Sequence, residues 1–288
     1  MLRIVLLALL IAVPGAARVP QAIVADPPRD VAHPARMEVL HIPSGGVLIN
    51  GVAYLAAGPG LHPTLVIAHG WPGNEKNLDL AQAVRRAGWN AVTFNYRGSW
   101  GSAGTFHFAQ VPEDAAAVIA FLRGRETAAK LGVDPARIAL AGHSMGGWAT
   151  AMTAAKDPAL QGAITISMGD LGLVGSLPRA DLVALSAGNA EALAGTSAEM
   201  MADELMAGSA DNRTQAGAAG LARVPMLVLT SDDGLAPHSD GLVAAVRAAG
   251  GKQVTTAHVA TDHSWSDARI RLQTLVIAWL EGLRVRTN

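Results

Sequence analysis

The 288-residue chain predicts an α/β fold, a mostly parallel sheet with helices on both faces. Three observations lead there. From about residue 64 onward, short apolar runs alternate with longer stretches of helical character. Runs such as TLVIA, ITIS and MLVLT are continuously apolar, as strands buried on both faces are. Apolar residues make up 50% of the chain and charged ones 16%, which suits a large buried core and excludes a disordered chain.

The elements follow in order. Residues 37–42 and 47–55 are extended, with Ser44-Gly45-Gly46 between them as a hairpin turn. Residues 64–68 form a strand, followed by a helix over about 75–87. A strand at 91–95 precedes a helix at about 112–123. A strand at 138–141 runs into a helix at 145–155, and 163–167 is a strand. Further strands are expected at 225–230 and 253–259, with helices at 239–249 and 267–283. Residues 169–222, rich in Ala, Gly, Met and Leu, carry no clear strand. They read as a small helical cap inserted over the site, or as a long connection with one or two helices.

The amino terminus departs from this pattern. Arg3 precedes an unbroken apolar run, residues 4–13, and Pro14-Gly15-Ala16-Ala17 follows. A positive start, a short apolar stretch and a small-residue end describe a secretory signal peptide, residues 1–17, with cleavage after Ala17. The run is too short to cross about 30 Å of hydrocarbon as a helix. The expected location is therefore exported, periplasmic or secreted, with no stable membrane span after cleavage; an uncleaved anchor is the other reading. Residues 18–36 read as a flexible lead-in, and 37–288 as one domain.

Composition also narrows the chemistry. A net charge of −1 and the lack of a basic run argue against nucleic acid as a partner. Without cysteine there is no thiolate catalysis, disulfide or cysteine-bound metal. No paired histidines or carboxylate cluster have metal-ligand spacing, so no metal or cofactor is expected.

The chemistry gathers just after the strands, where ligands of such sheets bind. Gly142-His143-Ser144-Met145-Gly146 fits the G-x-S-x-G pattern, between the strand-like RIALA and the helix-like WATAMTAA. A strand that turns this sharply into a helix strains the serine and exposes its oxygen at the helix N-terminus. Flanking glycines let neighbouring backbone come close. This segment resembles the nucleophile elbow of the α/β-hydrolase superfamily, in its serine esterase, lipase or serine aminopeptidase-like branches. The resemblance covers about residues 37–284 and implies an α/β-hydrolase fold with a central sheet of about eight strands, the second antiparallel.

Other motifs extend the resemblance. His69-Gly70-Trp71-Pro72-Gly73 after TLVIA is similar to the HGxPG loop of these enzymes. By that pattern the backbone N–H groups of Trp71 and Met145 form an oxyanion hole, with His69, Gly70 and Gly73 supporting the loop. The Trp71 ring is a candidate pocket wall. Asn95-Tyr96-Arg97-Gly98-Ser99-Trp100-Gly101 resembles a second loop of the superfamily, and Arg97 reads as structural, bound to loop carbonyls.

A serine hydroxyl needs a base, and the base a carboxylate that orients it. The superfamily order is Ser, acid, His. Of nine histidines, His263 lies just beyond the strand QVTTAHV, whereas His258 lies within it and His238 begins a helix. Asp233 fits the family spacing of an acid followed by two residues, a small apolar residue and Pro. Asp232 fits it off by one, and Asp170 occupies the place of the acid one strand earlier. Asp262 is disfavoured, because neighbouring extended side chains diverge.

The expected catalytic set is thus Ser144, Asp233 and His263. Serine at the elbow argues against the epoxide-hydrolase and haloalkane-dehalogenase relatives, which carry Asp there. A carboxylesterase acting on a small-molecule or peptide acyl substrate is the first expectation. A secreted serine peptidase or aminopeptidase is the second, and a non-catalytic binding protein the third.

Overall fold

The computed structural model describes residues 19–285. Strands β1 (Arg36–Ser44) and β2 (Val47–Leu55) form the expected hairpin. The others are β3 (His62–Ala68), β4 (Asn90–Phe94), β5 (Val133–His143), β6 (Gly162–Ile166), β7 (Met226–Ser231) and β8 (Val254–Val259). They make one eight-stranded sheet in the order β1-β2-β4-β3-β5-β6-β7-β8. β2 is antiparallel to both neighbours, and the pairs from β4 through β8 are parallel.

The continuous apolar runs are explained by two cores. Successive side chains of a strand point to opposite faces. Val66, Ala68 and Leu140 therefore join one core, with helices Val111–Arg123, Met145–Ala154 and Ala236–Ala248. Leu65, Ile67, Ala139 and Ala141 join the other, with helices Leu78–Arg86 and Arg269–Val285. Both faces are dry, so neither has a reason to alternate with polar residues.

Several boundaries differ from expectation for local reasons. The helix expected from residue 75 starts at Leu78, because Asn77 takes a left-handed φ of 55° and its N–H is taken by the Glu75 side chain. β5 begins earlier than residue 138, and the helix Arg125–Leu131 was not foreseen. The lead-in expected over 18–36 carries structure: Gln21–Val24 forms one helical turn, Arg86 donates to Ala22 O, and Ile23 packs against the second core. Its last residue, Arg36, already belongs to β1. The signal peptide expected over residues 1–17 lies outside the described residues. Among the described residues no helix is long and apolar enough to cross a membrane.

The 169–222 segment is helical, with Leu171–Val174, Arg179–Ala187, Ala198–Ala207 and Ala218–Leu221. Leu182, Met201 and Leu205 are buried in the first core. Its middle is stitched to the loop after β4: Ala194 N–H donates to Gly98 O, Trp100 N–H to Ala192 O and Phe106 N–H to Ala194 O.

Topology then positions the site. β3 and β5 are neighbours, with Ala68 opposite Gly142, so the loop after β3 lies beside the elbow. β7 and β8 are neighbours, with Ser231 opposite Val259, so the loops carrying Asp233 and His263 emerge side by side. Only β6 separates these two pairs.

Candidate active site

Ser144 follows the last residue of β5 and precedes helix Met145–Ala154. Its φ is 57° and ψ −120°, a region that a residue with a side chain occupies at a cost of about 1–3 kcal/mol. Flanking backbone contacts hold it there. A Cβ on Gly142 would stand 1.9 Å from Gly146 O, and one on Gly146 would stand 2.2 Å from Ala68 O. Only glycine allows strand, helix and the end of β3 to touch in this way. Ser144 N–H donates to Ile166 O at 2.9 Å, tying the turn to β6.

The loop after β3 lies against the serine. A methyl at Gly70 would approach the Ser144 Cβ to 3.0 Å. Among the described residues, no acceptor meets the backbone N–H of Trp71 or of Met145. Trp71 lines the cavity, and its ring packs edge-on against Phe108. Gly73 has a φ of 107° and borders the His69 ring so closely that a Cβ would enter it. His69 is buried, and its Nδ1–H donates to Gly70 O at 2.7 Å. Burial lowers its pKa to about 4, so the ring is neutral near neutral pH. It also accepts the Tyr96 hydroxyl on its backbone O at 2.9 Å.

His263 donates from Nδ1 to Asp233 Oδ2 at 2.7 Å. The Asp233 side chain is 3% exposed. Burial pushes the Asp233 pKa up, but the His263 hydrogen bond and the Leu235 N–H outweigh it and hold the carboxyl below its usual range. Ser144 and His263 line one cavity of about 180 Å³ with Gly70, Trp71, His143 and Asn189.

The other candidate acids are engaged elsewhere. Asp232 pairs with His258 Nε2 at 2.9 Å, on the exposed side of the sheet edge. Asp170 is fully buried and caps helix Leu171–Val174, accepting Gly172 N–H, Leu173 N–H and both the N–H and hydroxyl of Thr214. Asp262 accepts Ser266 N–H within its own turn. His238 uses Nδ1 to accept Asp170 N–H at 3.0 Å, and burial lowers its pKa. Arg97 bonds mainly to carboxylates, Asp114 and Glu113, with Gln110 O the one carbonyl it reaches. Asp114 is fully buried and also takes the Ser44 hydroxyl, so this cluster joins hairpin, loop and helix Val111–Arg123.

Three features escaped the sequence reading. His143, between glycine and serine in the elbow, donates from Nε2 to His263 O at 2.7 Å and stacks tilted on that ring at 4.7 Å. Burial lowers its pKa to about 4. Trp100 donates to Pro72 O at 2.8 Å and lies under Lys76, joining two loops around the site. Asn189, from the helical segment, and Asn74 and Glu75 also line the cavity. His143 and Trp100 lie within the elbow and the second loop, but the motifs leave the roles of these positions open, and the partners they reach, His263 O and Pro72 O, belong to other loops.

No curated protein sequence matches this one significantly. Solved structures match its fold. The Pyrococcus horikoshii acylaminoacyl peptidase is 18% identical with a TM-score of 0.66; the match covers 86% of this chain and 41% of the peptidase, so this chain spans less than half of that protein. A thermostable carboxylesterase cloned from a metagenomic library is 22% identical with a TM-score of 0.64, covering 87% and 90% of the two chains. The Pyrobaculum calidifontis esterase is 21% identical with a TM-score of 0.66, covering 88% and 87%. The alpha/beta hydrolase family profile matches residues 65–282, most of the chain. On the sheet order, the antiparallel second strand and this profile match, the chain belongs to the alpha/beta hydrolase family and is a hydrolase by fold.

Proposed function

We propose that the protein is a serine carboxylesterase, with Ser144 as nucleophile, His263 as base and Asp233 as orienting acid. The observation that carries this reading is the 2.7 Å His263–Asp233 hydrogen bond beside the cavity that Ser144 also lines. With Nδ1–H given to Asp233, His263 turns the unprotonated Nε2 toward chemistry. It takes the Ser144 proton as Oγ attacks the ester carbonyl. The Trp71 and Met145 N–H groups receive the charge on the carbonyl oxygen. His263 returns the proton to the departing alkoxide, leaving an acyl-enzyme. Water, deprotonated by the same imidazole, then releases the acid.

The small cavity favours a short acyl chain. p-Nitrophenyl acetate and butyrate should be cleaved well and palmitate poorly. Ser144→Ala should abolish this activity, and a fluorophosphonate should label the wild type but not the variant. Full activity in Ser144→Ala would end the serine reading, and an unlabelled wild type would favour a binding protein. A peptidase is the second reading. It rests on Glu75, an acidic residue that lines the same cavity and would attract a substrate ammonium. Matched aminoacyl esters and amides separate the two.

Export is part of the proposal, supported by Arg3, the apolar run over residues 4–13 and the small residues before Arg18. Amino-terminal sequencing of the protein recovered from a secreting host should begin at Arg18.

A further inference from the structure

The Ser144 cavity opens beside a second, larger recess that the mechanism above does not fill. Asn74, Glu75 and Ser264 line both. The first holds about 180 Å³ and the second about 580 Å³. One wall of the recess comes from the loop after β3 and the start of helix Leu78–Arg86, the other from the loop after β8. Arg269 joins the two walls. It donates to Asn77 Oδ1 at 2.9 Å on one side and to Ser264 O at 2.9 Å on the other, and it pairs with Asp79. The recess is therefore braced across its width.

Its place decides which half of an ester enters it. The departing oxygen must stand within hydrogen-bond reach of His263, which returns a proton to it. Ser264 is the next residue, so the group on that oxygen starts at the shared rim and runs on into the recess. The acyl half, turned away from His263, keeps the smaller cavity around Ser144, Trp71 and Asn189.

The lining decides the chemistry of that leaving group. Two carboxylates, Glu75 and Asp79, face two cations, Lys76 and Arg269, so the charges cancel. They are also engaged within the protein. Glu75 Oε1 accepts the Asn77 N–H and lies 3.8 Å from Arg269. Lys76 donates to Asn95 Oδ1 at 3.0 Å and stands over the Trp100 ring. An ionic leaving group finds no unpaired countercharge here. Leu78 is the sole apolar residue among the described residues that line the recess. The Asn74 amide and the Ser264 hydroxyl differ from the charged groups. Both lie on the shared rim, and neither side chain has a hydrogen-bond partner among the described residues. Each can donate and accept, as an alcohol hydroxyl does.

We propose that this recess is the leaving-group subsite, where Asn74 and Ser264 select esters of uncharged, polyhydroxylated alcohols up to about the size of a hexose. The inference rests on the proposed ester chemistry of Ser144 and His263. The bond broken is the acyl C–O bond. The polyol departs with the proton from His263, and water supplies the hydroxyl of the released acid. A recess of this volume is within the usual range for small-molecule sites, and its polar rim gives orientation.

The test compares three acetates. Methyl 6-O-acetylglucopyranoside and cyclohexylmethyl acetate both carry a primary ester on a six-membered ring and differ in their hydroxyls; acetylcholine adds a cation. Each kcat/KM is divided by the rate of the same ester with hydroxide, which removes differences in intrinsic reactivity. The wild type should favour the glucoside over both others by about tenfold, the worth of one or two hydrogen bonds. Asn74 is exposed and Ser264 half-buried, so Asn74→Leu and Ser264→Ala should fold. Each should cut the preference for the glucoside about threefold or more, and the double variant should erase it. Equal rates for the glucoside and the cyclohexyl ester, a preference for acetylcholine, or a preference unchanged in both variants would overturn the inference. p-Nitrophenyl acetate separates the two levels. If the wild type cleaves it without preferring the glucoside, only the leaving-group inference falls; if it does not cleave it, the esterase reading falls and takes the inference with it.

Discussion

The elbow and the His263 loop meet at one cavity but are held in opposite ways. At the elbow, backbone rests on backbone: Gly142 against Gly146, and Gly146 against Ala68. No side chain holds that geometry and none can be added to it. The His263 loop is held by side chains instead. His143 grips the backbone of His263, Arg269 grips Ser264 O, and Trp265 reaches Ser167. Ser144 is thus fixed by sterics, which tolerate no variation. His263 is fixed by many polar contacts, whose effects can be removed one at a time.

The sharpest test separates adjacent carboxylates on the loop after β7. Asp233→Asn should lower kcat by about 10⁴, because an amide favours the wrong imidazole tautomer while leaving the shape intact. Asp232→Asn should change kcat less than about threefold, since its partner is His258 on the exposed edge. Equal losses in the two would undo the assignment of the acid.

Next comes the steric side. Gly146→Ala drives a methyl into Ala68 O and should cost about 3 kcal/mol of stability, read from urea midpoints. A variant as stable as wild type would mean that the elbow is softer than its contacts imply.

The pH dependence of stability follows from His69 and His143, both buried and both lowered to about 4 from 6.5. The unfolded chain binds these protons near pH 6.5, the folded chain only near 4. Their neutral forms therefore support full stability above 6.5, and it is lost as pH falls toward 4, by about 3 kcal/mol for each histidine. Urea midpoints between pH 7.5 and 4 should trace this fall. His143→Gln should flatten it while leaving the His69 contribution.

The smallest effect is expected at Arg269, which binds Asp79, Asn77 and Ser264 O at a half-buried position. Arg269→Gln should cost about 1 kcal/mol and reduce kcat a few-fold, because the His263 loop keeps its other anchors. A loss as large as that of Asp233→Asn would place Arg269 at the centre of the loop's support.

Much of this architecture is legible in the chain itself. TLVIA, ITIS and MLVLT declare strands buried on two sides, and GHSMG and HGWPG declare sharp turns after them. Asn77 shows where local reading fails. Its left-handed conformation delays the helix to Leu78, and that conformation depends on the Glu75 side chain that takes its N–H. The lead-in shows another limit: Arg86 donates to Ala22 O and Ile23 packs against the second core, partners too distant in sequence for a local pattern to show the helical turn at Gln21–Val24.

The sequence by itself determined the strand and helix order, the strained serine and the short list of acids and bases. These are local, because periodicity, glycine placement and position after a strand act within a few residues. Tertiary structure alone decided which acid meets His263, what surrounds it and how the helical segment borders the cavity. Asp232 and Asp233 are neighbours in the chain but point to opposite partners, His258 and His263. The hydrogen bonds from Trp265 to Ser167 and between Ser167 and Ser231 tie the loop after β8 to the ends of β6 and β7, and they exist only once those strands lie side by side.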